Sequence, residues 1–113
     1  MHEYSIVEAL MRRVEDEARS RAAISVGRIR VALGELSGVD PELLATAYEL
    51  FRERTLCQAA ELEIHTVPAS WVCPSCGRTF AHGEILRCLA CQRPARLASG
   101  DEIVLEQIEM EVA

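Results

Sequence analysis

Cys73-Pro74-Ser75-Cys76-Gly77 is followed, with eleven residues between Cys76 and Cys88, by Cys88-Leu89-Ala90-Cys91-Gln92-Arg93-Pro94. Four soft thiolates presented as two tight turns, brought together by a hairpin, supply the tetrahedral sulfur set that Zn²⁺ prefers. Protein sulfur fills every position and leaves no opening for water or substrate, so the expected role is structural rather than catalytic. Two disulfides or a redox pair are the competing reading of the same four residues. A cytosolic chain with an odd number of cysteines favours metal. His82, between the turns, is a candidate substitute ligand or, more simply, a solvated loop side chain. Cys57 is left over and reads as a small buried residue.

Around these turns, residues 68–100 gather proline, glycine and the four cysteines, and regular apolar periodicity stops. The segment reads as a zinc ribbon inserted between two strands of one sheet. Upstream, Ser5-Ile6-Val7-Glu8 has the form of a capping box, which predicts a helix start. Ile6, Leu10, Val14 and Ala18 then fall at helical spacing, with an end expected near Arg19 to Ala22. From Ile24 to Leu33 the residues Ile29, Val31 and Leu33 alternate with Arg28, Arg30 and Ala32, the period of a half-buried strand. Asp40-Pro41-Glu42 opens a second helix, with Asp40 as N-cap and Pro41 at the first helical position. Leu43, Leu44, Ala47, Tyr48 and Phe51 are its expected buried stripe. Leu62, Ile64 and Thr66 mark a further strand with one wet face, and so do Ile108, Met110 and Val112. The fold class is therefore α+β: two helices packed on a three-stranded mixed sheet, with an inserted zinc-ribbon module. Residues 1–67 and 101–113 form one discontinuous domain and 68–100 the other.

The formal charge is −6, and all 12 basic residues are arginine. In the ribbon segment four arginines stand against Glu84 alone, and four thiolates with one Zn²⁺ reduce that excess to +1. Together with a single tryptophan, Trp71, this is a poor footprint for nucleic acid. No apolar run approaches the roughly 18 to 20 residues of a spanning helix, and the acidic start lacks the basic flank of a signal peptide. A cytoplasmic protein is expected. His2, His65 and His82 are widely spaced, with no nucleophile, base and orienting group in recognisable order, so an enzyme is not expected.

The chain begins Met1-His2-Glu3. A bulky second residue normally keeps the initiator methionine in place, so the α-amine stands one residue before an imidazole. The amine, the amide nitrogen of His2 and its Nδ1 close a five-membered and a six-membered ring, a nitrogen-rich set that suits Ni²⁺ or Cu²⁺. A frayed terminus with a solvated histidine is the bland alternative.

From Met1-His2-Glu3, through Gly38-Val39-Asp40, to the paired Cys-x-x-Cys ribbon, the whole chain resembles the HypA/HybF family of hydrogenase-maturation nickel chaperones. The resemblance implies a structural zinc on Cys73, Cys76, Cys88 and Cys91. It also implies a separate, exchangeable Ni²⁺ cargo site built from Met1, His2 and Glu3, with Asp40 as a further candidate ligand. As partners it implies the HypB GTPase, the [NiFe]-hydrogenase large subunit and, in some members, urease maturation proteins, with the chain a monomer or homodimer. A zinc-ribbon adaptor or a nucleic-acid-binding protein is the alternative.

Overall fold

The computed structural model describes residues 2–113, His2 by its backbone alone. In chain order the elements are α1 (His2–Ser20), β1 (Ala23–Gly34), α2 (Pro41–Phe51), β2 (Glu61–Val67), β3 (Ser70–Val72), β4 (Thr79–Ala81), β5 (Arg87–Cys88), β6 (Arg93–Pro94), β7 (Arg96–Ser99) and β8 (Ile103–Val112). Strand β1 is central, parallel to β2 and antiparallel to β8, which makes the mixed three-stranded sheet. The parallel pairing requires a crossover, and α2 provides it. Between β2 and β8 lies the second sheet, in the order β4-β3-β7, together with the short β5-β6 pair.

Helix α1 starts three residues earlier than the capping box at Ser5 predicts, so Ser5 and Glu8 lie within it and Glu3 supplies the acid of its first turn. Its buried stripe is also shifted, to Val7, Met11, Val14 and Ala18, while Ile6 and Leu10 are only partly covered. A strict spacing of four drifts around a helix of 3.6 residues per turn by about 40° per step, whereas 7, 11, 14, 18 returns to one face. In α2, Leu44, Ala47 and Tyr48 are buried as expected, but Leu43 is 54% exposed. Leu43 lies one residue before Leu44, about 100° round the helix from it.

Helices and sheet enclose one core containing Ile29, Val31 and Leu33 from β1. Strand β8 reaches back to Ile103, longer than its terminal alternation suggested, because Arg30 faces Gln107 while Val31 faces Leu105. Glu106 is thus an extra residue that inverts the alternation midway. The bulge leaves Glu106 on the wet face, where it meets the His65 Nε2 at 2.5 Å and the Arg30 Nε at 3.5 Å. Thr66 and Val112, expected to face inward, are exposed.

The strands leading into and out of the ribbon meet the end of β1 at a neck. Gly34 N–H donates to Glu102 O, Glu35 N–H to Val67 O and Leu36 N–H to Gly100 O. The Glu35 Oε1 accepts from Ala69 N–H at 2.7 Å. A side chain on Gly34 would collide with the backbone of Gly100, and one on Gly100 (φ 101°) would sit 2.5 Å from the Ala69 Cα. The Gly34→Ala substitution is expected to cost at least about 1–3 kcal/mol through this overlap, read as a lower urea midpoint. A Gly27→Ala control, whose added carbon meets only Glu109 O at 3.9 Å, lacks that overlap.

Candidate metal centre

Strand β3 carries the chain into Cys73, whose N–H donates to Arg78 O at 2.8 Å, while Gly77 N–H donates to Cys73 O at 3.0 Å. This closed turn needs the left-handed φ of 79° at Gly77. The second turn is held by the β5-β6 pair, with Gln92 at φ 58° in the left-handed region. Gln92 also donates its side-chain amide to Leu89 O at 2.9 Å. No glycine marks that position, so nothing in the sequence signals the second turn's matching geometry.

The ligand atoms of Cys73, Cys76, Cys88 and Cys91 all lie within 4.8 Å of one another. The Cys76 and Cys88 sulfurs are 3.8 Å apart, the edge of a tetrahedron with Zn–S bonds of about 2.3 Å. Cys73 and Cys88 are buried with Phe80, and Trp71, Leu86 and Ala95 pack around them. The donor set and spacing therefore fit zinc. Among the free thiols, the amide N–H groups of Cys76 and Ser75 hold Cys73 down at about 6. Cys91 is pushed up to about 12, because its proton is shared with the sulfurs of Cys76 and Cys73. Backbone amides thus already favour thiolate at one corner of the cluster.

His82 stands apart from the four sulfurs. Its Nδ1 lies 3.8 Å from the Glu35 Oε2 and its ring 6.1 Å from Trp71. Cys57 is fully buried, and burial pushes its thiol up to about 11, the state of an inert core residue.

Close to the neck, where Val39 and Pro41 line a cleft with Gly34, Glu35, Val67 and Pro68, Asp40 caps α2 as expected: its Oδ1 accepts from Glu42 N–H at 2.8 Å and Leu43 N–H at 3.3 Å. Its own N–H donates to the Glu3 Oε2 at 3.3 Å. Two candidate residues 37 positions apart are thereby brought to one place, where α1 and α2 both begin. The edge-on contact of Tyr4 with Phe51, centroids 5.8 Å apart, also joins the two helices. Met1 and the side chain of His2, the other two candidates, lie outside the described residues.

Residues 1–110 match the family model described as "Hydrogenase/urease nickel incorporation, metallochaperone, hypA". The chain belongs to the HypA family. It is 44% identical to the hydrogenase maturation factor HypA of Wolinella succinogenes over 98% of this chain and 96% of that one. With the HypA of Shewanella halifaxensis it shares 40% identity over the full length of both. The solution structure of the Ni metallochaperone HypA from Helicobacter pylori superposes with a TM-score of 0.74 at 30% identity, covering 98% of each chain. A second HypA solution structure reaches 0.82 at 31% identity, covering 100% of this chain and 98% of that one.

For this HypA chain, Cys88→Ala removes a buried sulfur around which both turns close. The variant is expected to lose bound zinc and the amide-exchange protection of β3 to β7 while β1, β2 and β8 keep theirs. Zinc content by mass spectrometry under native conditions and hydrogen exchange read the two effects separately. Uniform loss of protection would show that the sheet depends on the cluster as well.

Proposed function

We propose that this chain is a nickel metallochaperone that takes up Ni²⁺ at its amino terminus and delivers it for [NiFe]-hydrogenase maturation. On this reading Cys73, Cys76, Cys88 and Cys91 hold a separate zinc that only fixes the shape of the ribbon. The functional division follows: residues 1–67 with 101–113 handle nickel, and residues 68–100 form the zinc ribbon.

The observation that carries the reading is the contact between Glu3 and Asp40, at the start of α1 and of α2. The first N–H groups of a helix have no intrahelical partner, so the amides of His2 and Glu3 are free of the helical ladder. The α-amine, the His2 amide and the His2 Nδ1 can then chelate as a fused five- and six-membered ring pair. A cation at a helix N-terminus meets the positive end of the dipole, at a cost of about 0.3–1 kcal/mol. The carboxylates of Glu3 and Asp40 offset that cost. A terminal, solvent-open set of this kind releases metal more readily than a buried cage, as transfer to another protein demands.

Binding displaces protons from the amine, the imidazole and an amide, so nickel affinity falls as pH falls. The recipient is the one expected of the family, the hydrogenase large subunit, with the HypB GTPase as working partner, in the cytoplasm and with no catalytic role for the chain itself. No helix among the described residues is long and apolar enough to cross a membrane.

Calorimetric titration of untagged, zinc-loaded protein with Ni²⁺ tests the site. His2→Ala is expected to abolish the binding event and leave zinc content unchanged; equal affinity in both proteins would sink the reading. Asp40→Asn separates the two roles of that residue. Asparagine caps a helix about as well as aspartate, so stability should hold while nickel affinity drops roughly tenfold, about 1.4 kcal/mol. Unchanged affinity would leave Asp40 a cap alone.

A further inference from the structure

The arginines divide into two groups. Outside the ribbon, six of eight are ion-paired: Arg12, Arg19, Arg21, Arg28, Arg30 and Arg52. The four within it pair with no carboxylate among the described residues. Arg78 lies over the Phe80 ring, Arg87 donates to Gln92 O, Arg93 reaches the Ser75 hydroxyl, and Arg96 is exposed. The ribbon's one carboxylate, Glu84, is occupied by Ala81 N–H. Residues 68–100 thus carry a formal +3, while the remaining eight arginines and seventeen carboxylates sum to −9.

The same segment holds the two most exposed large apolar side chains among the described residues, Ile85 at 81% and Leu89 at 70%. From Ile85 to Leu89 burial alternates: Leu86 and Cys88 turn inward, and Ile85, Arg87 and Leu89 turn outward. Only Arg87 and Cys88 of this run are strand, and Ile85 and Leu89 are the exposed neighbours that flank it. Pro94, opposite Arg87 in the β5-β6 pair, is exposed as well. Neither aliphatic side chain packs into the ribbon's own small core. Exposed apolar groups rimmed by uncompensated charge mark a binding surface.

We infer that the outer side of the β5-β6 pair, Arg87 and Pro94 flanked by the exposed Ile85 and Leu89, docks an acidic protein segment bearing aliphatic side chains. Ile85 and Leu89 anchor it and Arg87 receives a carboxylate. A protein segment fits better than nucleic acid. The two anchors are aliphatic and offer no stacking platform, and the four-thiolate zinc cluster reduces the local charge to +1. Carboxylates match arginine forks one by one and need no extended field. The surface shares no residue with the contact between Glu3 and Asp40, so the inference stands apart from the nickel reading.

The test is titration of isotopically labelled, zinc-loaded full-length protein with a short peptide of alternating glutamate and leucine, followed by amide shifts. A peptide of alternating glutamate and serine and an oligothymidylate serve as competitors. Expected are shifts confined to residues 84–94, weakening as salt rises. Affinity should fall roughly tenfold or more in Ile85→Ser and in Arg87→Glu, with zinc content unchanged and Arg13→Glu without effect. Absence of shifts, shifts centred elsewhere, or equal binding of the serine peptide would overturn the proposal. So would preferential binding of the oligothymidylate, which would assign the face to nucleic acid. Concentration-dependent dimerisation abolished by Ile85→Ser would assign it to a second copy of the chain.

Discussion

The ribbon departs from the sheet and returns to it through a neck where three backbone segments come closer than any side chain would allow. Gly34 at the end of β1 touches Gly100 on the returning strand, and Gly100 touches Ala69 on the departing one. The amides there satisfy each other, with Leu36 N–H on Gly100 O at 2.6 Å and Glu35 N–H on Val67 O at 2.9 Å. Two long excursions of the chain are thus pinned to the central strand without a large apolar contact. Glu35 extends the arrangement into the ribbon, binding the Ala69 amide with one oxygen and facing His82 with the other.

Below the neck, stability rests on the burial of one sheet face beneath two helices. The opposite face is left to charge, with Arg28 among Glu61, Glu63 and Glu109, and Arg30 between Glu63 and Glu106. Each such exposed pair adds little. The network instead keeps the open face of a small sheet polar and discourages stacking of one sheet on another. Above the neck the apolar cluster is small, consisting of Phe80 and two cysteines with a few partly buried neighbours. A core of that size cannot hold a fold by hydrophobic burial, and on the proposed reading the metal supplies the missing cohesion.

On the proposed reading the ribbon cluster and the junction of the two helices suit opposite metal chemistries. Four sulfurs in preformed turns make a closed set with nothing to exchange. The start of α1 against the cap of α2, on the proposed reading, offers nitrogen and carboxylate in an open set. A chaperone of the proposed kind needs one metal that never leaves and one that must.

The sequence by itself determined the local features. The Cys-x-x-Cys turns, the Asp40-Pro41 helix start and the alternation along β1 are each written within a few residues, where propensity and spacing act directly. Tertiary structure decided whatever depends on which neighbour a residue meets. The buried stripe of α1 runs through Val7 and Met11 because α2 and the sheet together select the face. The phase of β8 inverts at Glu106 because its register with β1 slips by one residue. Glu3 reaches Asp40, and Gly34 meets Gly100, only because segments far apart in the chain pack together. Long-range contacts of this kind leave no periodic mark on the sequence, since each side of the pair is locally unremarked until the fold closes.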